Sequence, residues 1–480
     1  MAYNPFNKKD ISKLTYDDLK SLIENEIGEG WYIEYKRDVP KLKTGKLDNI
    51  KISKSISSFA NTNGGWVFWG IDSDNKNKPT VINGFDASEY RNFEDQISQI
   101  INSNINPTPY YHFKKIQLEN DNIVLIIKVD ESPIPPYITS QGVIFQRENN
   151  ESKPLSDRYS LEKLNEKAKN YLDEIENFST MNLTQSKGQS ESNQTYLELY
   201  LFPMPFNSFK FKNFYSSDFF KKVADRFYKG VEVDFQSKNS IAISLGFNSI
   251  YHSDGSLIIR PLKEGNLIYK STTVELFKNG NLKLLIPVSE FTTGNIPKKY
   301  ENSNTIKYLL DTYSPLETVD PLSYSLLGMS VPPPNPNLSP LKERKRTDFT
   351  TFVNFIDGMD LITVILIIIN HYKSVLNDND FDFETKIGFR ARITDCWRKF
   401  VFFDNDDYLK KLKLYNIPLS PKDEIEIPKF KKGNAYIIDL KNNLEFFQIA
   451  KIILRGIGLP DAHAIKFQEI IMNGFNNFQE

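Results

Sequence analysis

The sequence holds one cysteine in 480 residues, Cys396, so no intramolecular disulfide can form, and a reducing cytoplasm is the compartment that suits it. Set in Ile393-Thr394-Asp395-Cys396-Trp397, the thiol reads as a small packed hydrophobe. Histidine is scarce too: His112, His252, His371 and His463 are scattered without the spacing of zinc ligands. Neither sign of charge is in excess, with 60 Lys and Arg against 61 Asp and Glu and a formal net charge of −1. The whole chain therefore exerts no long-range pull on a polyanion, and any nucleic-acid binding must come from local patches. Long apolar runs are missing as well. The most hydrophobic segment, Leu361 to Ile369, is nine residues long, against the ~20 that a bilayer-spanning helix needs. It reads as a buried helix or a partner-facing one, and no membrane partner is expected. The start, Met1-Ala2-Tyr3-Asn4-Pro5, lacks the charged-then-apolar pattern of a secretory signal. A Walker A loop is also lacking, because Lys43-Thr44-Gly45-Lys46-Leu47 has neither the earlier glycine nor the Ser or Thr after the lysine. No ATP site is expected.

The chemistry-bearing residues are concentrated between Trp31 and Asp72. Residues 31–36 alternate as a half-buried strand does, which puts Trp31, Ile33 and Tyr35 on one face and Tyr32, Glu34 and Lys36 on the other. A carboxylate and an ammonium then point the same way. Residues 48–60 switch to a helical period, with Ile52, Ile56 and Phe59 on one apolar stripe and Lys51, Ser55 and Ser58 on a wet remainder. Asn61-Thr62-Asn63-Gly64-Gly65 supplies a stop and a sharp reversal. The short apolar run Trp66 to Ile71 follows as a buried strand, and it ends on Asp72. Taken alone, Asp72 is the first residue of a polar turn, Asp72-Ser73-Asp74-Asn75.

These residues resemble the Schlafen family in its AlbA-type nucleic-acid-processing domain, here as a prokaryotic member. That family carries a glutamate, a second glutamate five residues on in a Glu-Phe/Tyr-Lys strand, and an aspartate just after Phe-Ala-Asn-Thr-x-Gly-Gly; the matching positions are Glu29, Glu34 and Asp72. The resemblance covers about residues 10–178. It continues through Asn83-Gly84-Phe85, the strand Ile123 to Val129, the turn Ser132 to Tyr137, and Gly142 to Arg147, a strand ending in arginine. The loop Glu148-Asn149-Asn150-Glu151-Ser152-Lys153 departs from the family in lacking its glycine. In nuclease members the acidic trio is a catalytic metal site, so the resemblance implies Glu29, Glu34 and Asp72 as metal ligands and Lys36 as the fourth catalytic residue. Clustered carboxylates need a cation at neutral pH, and hard oxygen donors select Mg²⁺ or Mn²⁺. Such an ion can activate water for attack on phosphorus, with Lys36 neutralising the phosphate.

Nucleic acid is the expected partner, RNA favoured over DNA. The candidate binding residues are Lys36, Arg37, Lys41, Lys43, Lys46, Lys51, Lys54 and Arg147, all but the last in a cationic stretch interrupted only by Asp38 and Asp48. Tyr110-Tyr111-His112-Phe113 is read as strand packing rather than as a base-stacking surface. Family nucleases clamp RNA between two copies of the domain. One copy is visible here, so the resemblance implies a homodimer.

The fold class expected is α+β: a Schlafen-like mixed sheet with flanking helices over 1–178, a Ser/Gln/Asn/Thr-rich flexible linker at 179–195, an α+β domain at 196–330 with an antiparallel sheet, a Pro-rich segment at 331–345, and an α+β region at 346–480 able to join 196–330 in one unit. Tyr159 to Phe178 has helical spacing, and Asn279-Gly280 between Thr273–Lys278 and Leu282–Val288 signals a hairpin. The function expected from the resemblance is a metal-dependent endoribonuclease acting on structured, tRNA-like RNA, with phage defence as its setting. The alternatives are a non-catalytic nucleic-acid-binding regulator and an oligomerisation or assembly module.

Overall fold

The alternation at 33–36 and the helical period at 49–60 build adjacent pieces of one crossover in the computed structural model of the protein. The structure describes residues 3–6, 11–88, 90, 92–183, 194–228, 231–235, 239–243, 249–253, 255–260, 272–293, 295–313, 354–379, 381, 386–397, 399–415, 419–420, 422–439 and 443–459. The Pro-rich segment at 331–345, residues 184–193 of the expected linker, and His463 lie outside the described residues. The chain is α+β and divides into two units, Met1–Ile175 and Glu176–Glu480.

In the first unit, β1 (Ile33–Lys36) leads through α2 (Asn49–Ala60) to a parallel partner, β2 (Gly65–Trp69); a helix, α1 (Tyr16–Glu24), precedes them. The hairpin β3 (Ile71–Ser73) and β4 (Pro79–Ile82) follows directly on β2. Then come α3 (Phe93–Asn104), β5 (Ile105–Asn106), β6 (Tyr111–Gln117), β7 (Ile123–Val129), β8 (Ile138–Thr139), the hairpin β9 (Phe145–Glu148) and β10 (Glu151–Pro154), and α4 (Arg158–Phe178), whose last three residues fall in the second unit. The central sheet has the order β1-β2-β7-β6 and is antiparallel except between β1 and β2. The strands β2 and β7 are buried on both faces, and β6 is a half-buried edge. Ile33, Tyr35, Trp66 and Phe68 pack with Leu19 and Leu22 of α1, while Val67, Trp69, Leu125 and Ile127 pack with Ile52, Ile56 and Phe59 of α2 and Ile97 and Ile101 of α3.

The reversal after α2 depends on its two glycines. Gly64 has φ +71, and a Cβ there would lie 2.6 Å from the Glu131 nitrogen; a Cβ on Gly65 would lie 2.4 Å from the Phe59 ring. Asn61 completes the reversal from a buried position. Its Nδ2 donates to the carbonyls of Tyr137 and Phe145, each at 2.9 Å, and its Oδ1 accepts from the Tyr137 amide at 2.7 Å.

Two sequence expectations are corrected here. Trp31 is 48% exposed and does not share the core face of Ile33 and Tyr35, because the strand starts only at Ile33. The polar side of α2 is wet only in part: Lys51 is exposed, but Ser55 and Ser58 are buried, as are Ser53 and Ser57. Ser58 is covered by the β9–β10 hairpin, where its hydroxyl bonds that of Ser152 at 2.7 Å.

The second unit is built on one antiparallel sheet whose strands run, in spatial order, Ser249–Ser253, Ser256–Arg260, Thr273–Phe277, Leu282–Pro287, Tyr196–Pro203, Ile387–Thr394 and Ile425–Ile427. Tyr196–Pro203 pairs with Leu282–Pro287 on one side and Ile387–Thr394 on the other, so 196–330 and 346–480 share a sheet. The hairpin at Asn279-Gly280 forms, with Gly280 at φ +79. The helix Gly358–Asn377 is, by length and composition, apolar enough to cross a membrane. Leu361, Ile362, Ile365, Ile368, Ile369 and Tyr372 are buried in this unit's core, as expected of a core helix. Residues flanking the undescribed part of the linker are bonded within this unit: Lys283 donates to the Thr180 carbonyl at 3.0 Å, and Lys399 to the Thr195 hydroxyl at 2.9 Å.

Candidate nucleic-acid interface

β1 and the loop before it carry the two glutamates. Glu34 is 6% exposed on the face of β1 that looks toward α2, and a carboxylate there must be compensated. It is compensated three times. Arg147 donates from Nη1 to Glu34 Oε2 at 2.7 Å, Ser55 donates to the same oxygen at 2.9 Å, and Lys36 Nζ lies 3.2 Å from Oε1. The shared strand face read for Glu34 and Lys36 thus becomes an ion pair between them.

Glu29 lies just upstream. Its Oε1 accepts from the Tyr35 amide at 2.8 Å, and its own amide donates to the carbonyl of Asn77, in the β3–β4 turn, at 2.7 Å. Burial pushes its carboxyl pKa up, against the lowering influence of the Tyr35 amide and of Lys36. Asp72, on that same β3–β4 hairpin, accepts from Arg37 Nε at 2.6 Å and from Asn83 Nδ2 at 3.2 Å. The three acids thus sit on elements hydrogen-bonded to one another, yet they do not converge. Among the described residues no three His, Cys, Asp or Glu side chains are gathered closely enough to hold a metal ion. Each acid of the expected trio has other company in this structure: Arg147 pairs with Glu34, Arg37 pairs with Asp72, and partial burial disfavours the charged form of Glu29. The donor chemistry suits Mg²⁺ or Mn²⁺, and an ion would have to displace the arginines from Glu34 and Asp72.

The model of the Schlafen, AlbA_2 family matches residues 29–156. That segment is a Schlafen AlbA_2 domain. The family suggests a nucleic-acid-related function. The match begins on Glu29 and takes in every candidate site residue. The crystal structure of the DIP2311 protein from Corynebacterium diphtheriae is similar over 29% of this chain and 26% of its own, at 15% identity and a TM-score of 0.19. No curated protein matches the chain.

Within the AlbA_2 domain, the cationic stretch divides into spoken-for and solvent-facing groups. Lys41 pairs with Asp38 at 3.3 Å and lies over the Tyr90 ring, Lys51 reaches Asp48 at 3.5 Å, and Lys54 lies over Phe145. Asp48 caps α2 by accepting from the Lys51 amide. Lys43 and Lys46 are exposed at the tip of a tight loop, which a bridge between Lys41 and Leu47 closes and the Tyr90 hydroxyl ties down at the Gly45 carbonyl. Beside Tyr90 opens a cavity of about 360 Å³ that Phe93 and Lys115 also line. Tyr111 and Phe113 pack against the domain core, as read.

Arg147 is the one candidate binding residue that the structure removes from the surface. It is 2% exposed, lies over the Phe59 ring, and spends its guanidinium on three acceptors: the Gly30 carbonyl from Nε at 3.0 Å, the Ile33 carbonyl from Nη2 at 3.0 Å, and Glu34. Burial lowers its pKa against the attraction of Glu34 and Glu29. Its remaining N–H groups are buried with it, so none is presented to a phosphate at the surface. In the following loop, which lacks the family's glycine, Asn149 takes a left-handed turn conformation at φ +54. Sequence reasoning also missed Ser55 and Asn83, whose contacts to Glu34 and Asp72 had no signal beyond their polarity.

Proposed function

We propose that the Schlafen AlbA_2 domain binds nucleic acid, RNA in preference to DNA, through the solvent-facing cations Lys36, Arg37, Lys43 and Lys46. The observation that carries this reading is that Lys36 and Arg37 are held at the acidic set by partners they can exchange. Lys36 is 47% and Arg37 80% exposed in its side chain, whereas Glu34 and Asp72 are largely covered. Glu34 keeps Arg147 and Ser55 when Lys36 leaves it, and the pair that Arg37 makes is solvent-facing, so a phosphate can take over either cation at small cost. Fluorescence anisotropy with a labelled stem-loop RNA, titrated with salt, tests it. Binding that weakens log-linearly with salt supports the reading; absence of binding at low salt rejects it in favour of an assembly module.

A second reading, a metal-dependent endoribonuclease cutting structured, tRNA-like RNA, is favoured by the order Glu29, Glu34, Lys36, Asp72 and by the shared anchoring of their elements. Glu29, Glu34 and Asp72 are its proposed ligands for Mg²⁺ or Mn²⁺, with Lys36 on the phosphate. An ion would have to compete with Arg147 at Glu34 and with Arg37 at Asp72, which favours binding without cleavage, in a regulator. Incubation with total RNA and Mn²⁺, comparing wild type with Asp72→Asn, which leaves no buried charge unpaired, separates them. Cleavage lost in the variant supports the nuclease; uncut RNA with binding retained supports the regulator. A homodimer assembling a groove from two protomers, a cytoplasmic setting and a part in phage defence belong to the nuclease reading. A monomeric mass with full activity would remove the dimer from it.

A further inference from the structure

We propose that Trp31 is a stacking platform for an unpaired nucleobase, a reading that rests on the nucleic-acid binding proposed above and specifies what part of the polymer the domain takes. Tryptophan offers the largest apolar face of any residue and is seldom left in water without a reason. Trp31 is 48% exposed, although two other tryptophans of the same domain, Trp66 and Trp69, are 1% exposed.

Its exposure is built rather than incidental. The Gly30 amide donates to the Ile33 carbonyl at 3.1 Å and closes the segment 30–33 into a tight loop. Arg147 then bonds both ends of that loop, Gly30 and Ile33, while holding Glu34 with its third nitrogen. On the next residue, the Tyr32 carbonyl accepts from the Trp66 amide at 2.7 Å, and the Tyr32 ring stacks on Tyr3 with centroids 5.0 Å apart. A fully buried arginine thus fixes the backbone on either side of an exposed indole, so the ring is presented with little backbone freedom left to lose on binding.

The occupant follows from the surroundings. Glu29 and Glu34 flank the loop, and the exposed cations Lys36 and Arg37 end the strand that leaves it. An apolar protein partner would have to dehydrate these charges. A single-stranded polynucleotide puts its base on the ring and its phosphates on the cations, the combination by which single strands are held without sequence readout. A duplex keeps its bases stacked on each other and cannot use the ring, so the platform selects loops, ends or single strands.

The test is anisotropy with two labelled probes, a single-stranded RNA of about 12 nucleotides, within the range one single-strand-binding fold covers, and the blunt duplex of the same sequence. Stacking on one aromatic ring is worth about 1–3 kcal/mol per base, so Trp31→Ala weakens single-strand binding by about tenfold or more. It leaves duplex binding and the melting temperature unchanged, and Trp31→Phe keeps most of the affinity. Single-stranded RNA also quenches tryptophan fluorescence in the wild type and quenches it less in Trp31→Phe. Wild type that binds single strands with Trp31→Ala binding them equally well overturns the platform and leaves the binding function standing. Wild type that binds neither probe overturns both.

Discussion

Arg147 and Glu34 form a buried ion pair at 2.7 Å, 113 residues apart in sequence, with the arginine 1% and the glutamate 8% exposed in their side chains. Removing one partner of such a pair leaves an uncompensated charge in a poorly solvated site, which costs about 3–5 kcal/mol. Arg147→Met is expected to lower the chemical-denaturation midpoint accordingly. Arg147→Lys rescues little, because one ammonium cannot reach two carbonyls and a carboxylate that a planar guanidinium spans. The double variant Glu34→Met/Arg147→Met recovers part of the loss, and a double-mutant cycle reads the coupling. A cycle showing no coupling would mean that the two carbonyl bonds alone account for Arg147.

The Arg37–Asp72 pair is the opposite case. Arg37 is exposed along its length, and the Asp72 hydrogen bond raises its pKa without anchoring the fold. Arg37→Ala is expected to leave the melting temperature unchanged, to weaken RNA binding about equally across sequences, and to reduce the slope of log affinity against log salt by about 1. A drop in melting temperature with an unchanged salt slope would make Arg37 a structural residue.

Asn61 carries no charge and yet joins α2 to two distant segments. Its three bonds to the backbones of Tyr137 and Phe145 are buried, and truncation leaves their donor and acceptors unpaired at about 1–3 kcal/mol each. Asn61→Ala is expected to destabilise by about 3 kcal/mol or more. Asn61→Asp does no better, since a carboxylate cannot donate to either carbonyl. Urea denaturation followed by tryptophan fluorescence measures both, and a loss under 1 kcal/mol would show that water replaces the side chain.

These cases separate what local sequence can encode from what it cannot. The period-2 run at Ile33–Lys36, the 3.6-residue period at Ile52, Ile56 and Phe59, and the turn chemistry of Gly64 and Gly65 are near-neighbour properties, so β1, α2, the reversal and β2 were legible. The hairpin at Asn279-Gly280 was legible for the same reason. The state of the acids was not. Glu34 owes its environment to Ser55 and to Arg147, and Asp72 to Arg37 and Asn83; each partner comes from another element, which no periodicity reports. Trp31 was misassigned because alternation was extended two residues past the point where the Gly30–Ile33 hydrogen bond ends the strand. The wet face of α2 failed similarly: a serine at a polar wheel position says nothing about whether a hairpin from residues 145–154 covers it.

The last prediction concerns the second unit. His371 lies on the apolar helix Gly358–Asn377, 6% exposed and beside the Phe227 ring at 5.7 Å. Burial, with a smaller contribution from Arg226, pushes its pKa down to about 4 from the ordinary 6.5. Because the folded pKa is the lower one, the unfolded chain binds this proton first. The neutral, buried ring therefore contributes its full stability above pH ~6.5, and that contribution is lost as the pH falls toward 4. Between pH 7 and pH 5 the loss is about 2 kcal/mol, as order of magnitude, from the linkage of one group with this shift. His371→Leu keeps an apolar side chain in place and has no proton to gain. Denaturation midpoints of wild type and variant at the two pH values should show the wild type falling more steeply, by about that amount. Parallel falls would show that His371 titrates in the folded protein much as it does in the unfolded chain.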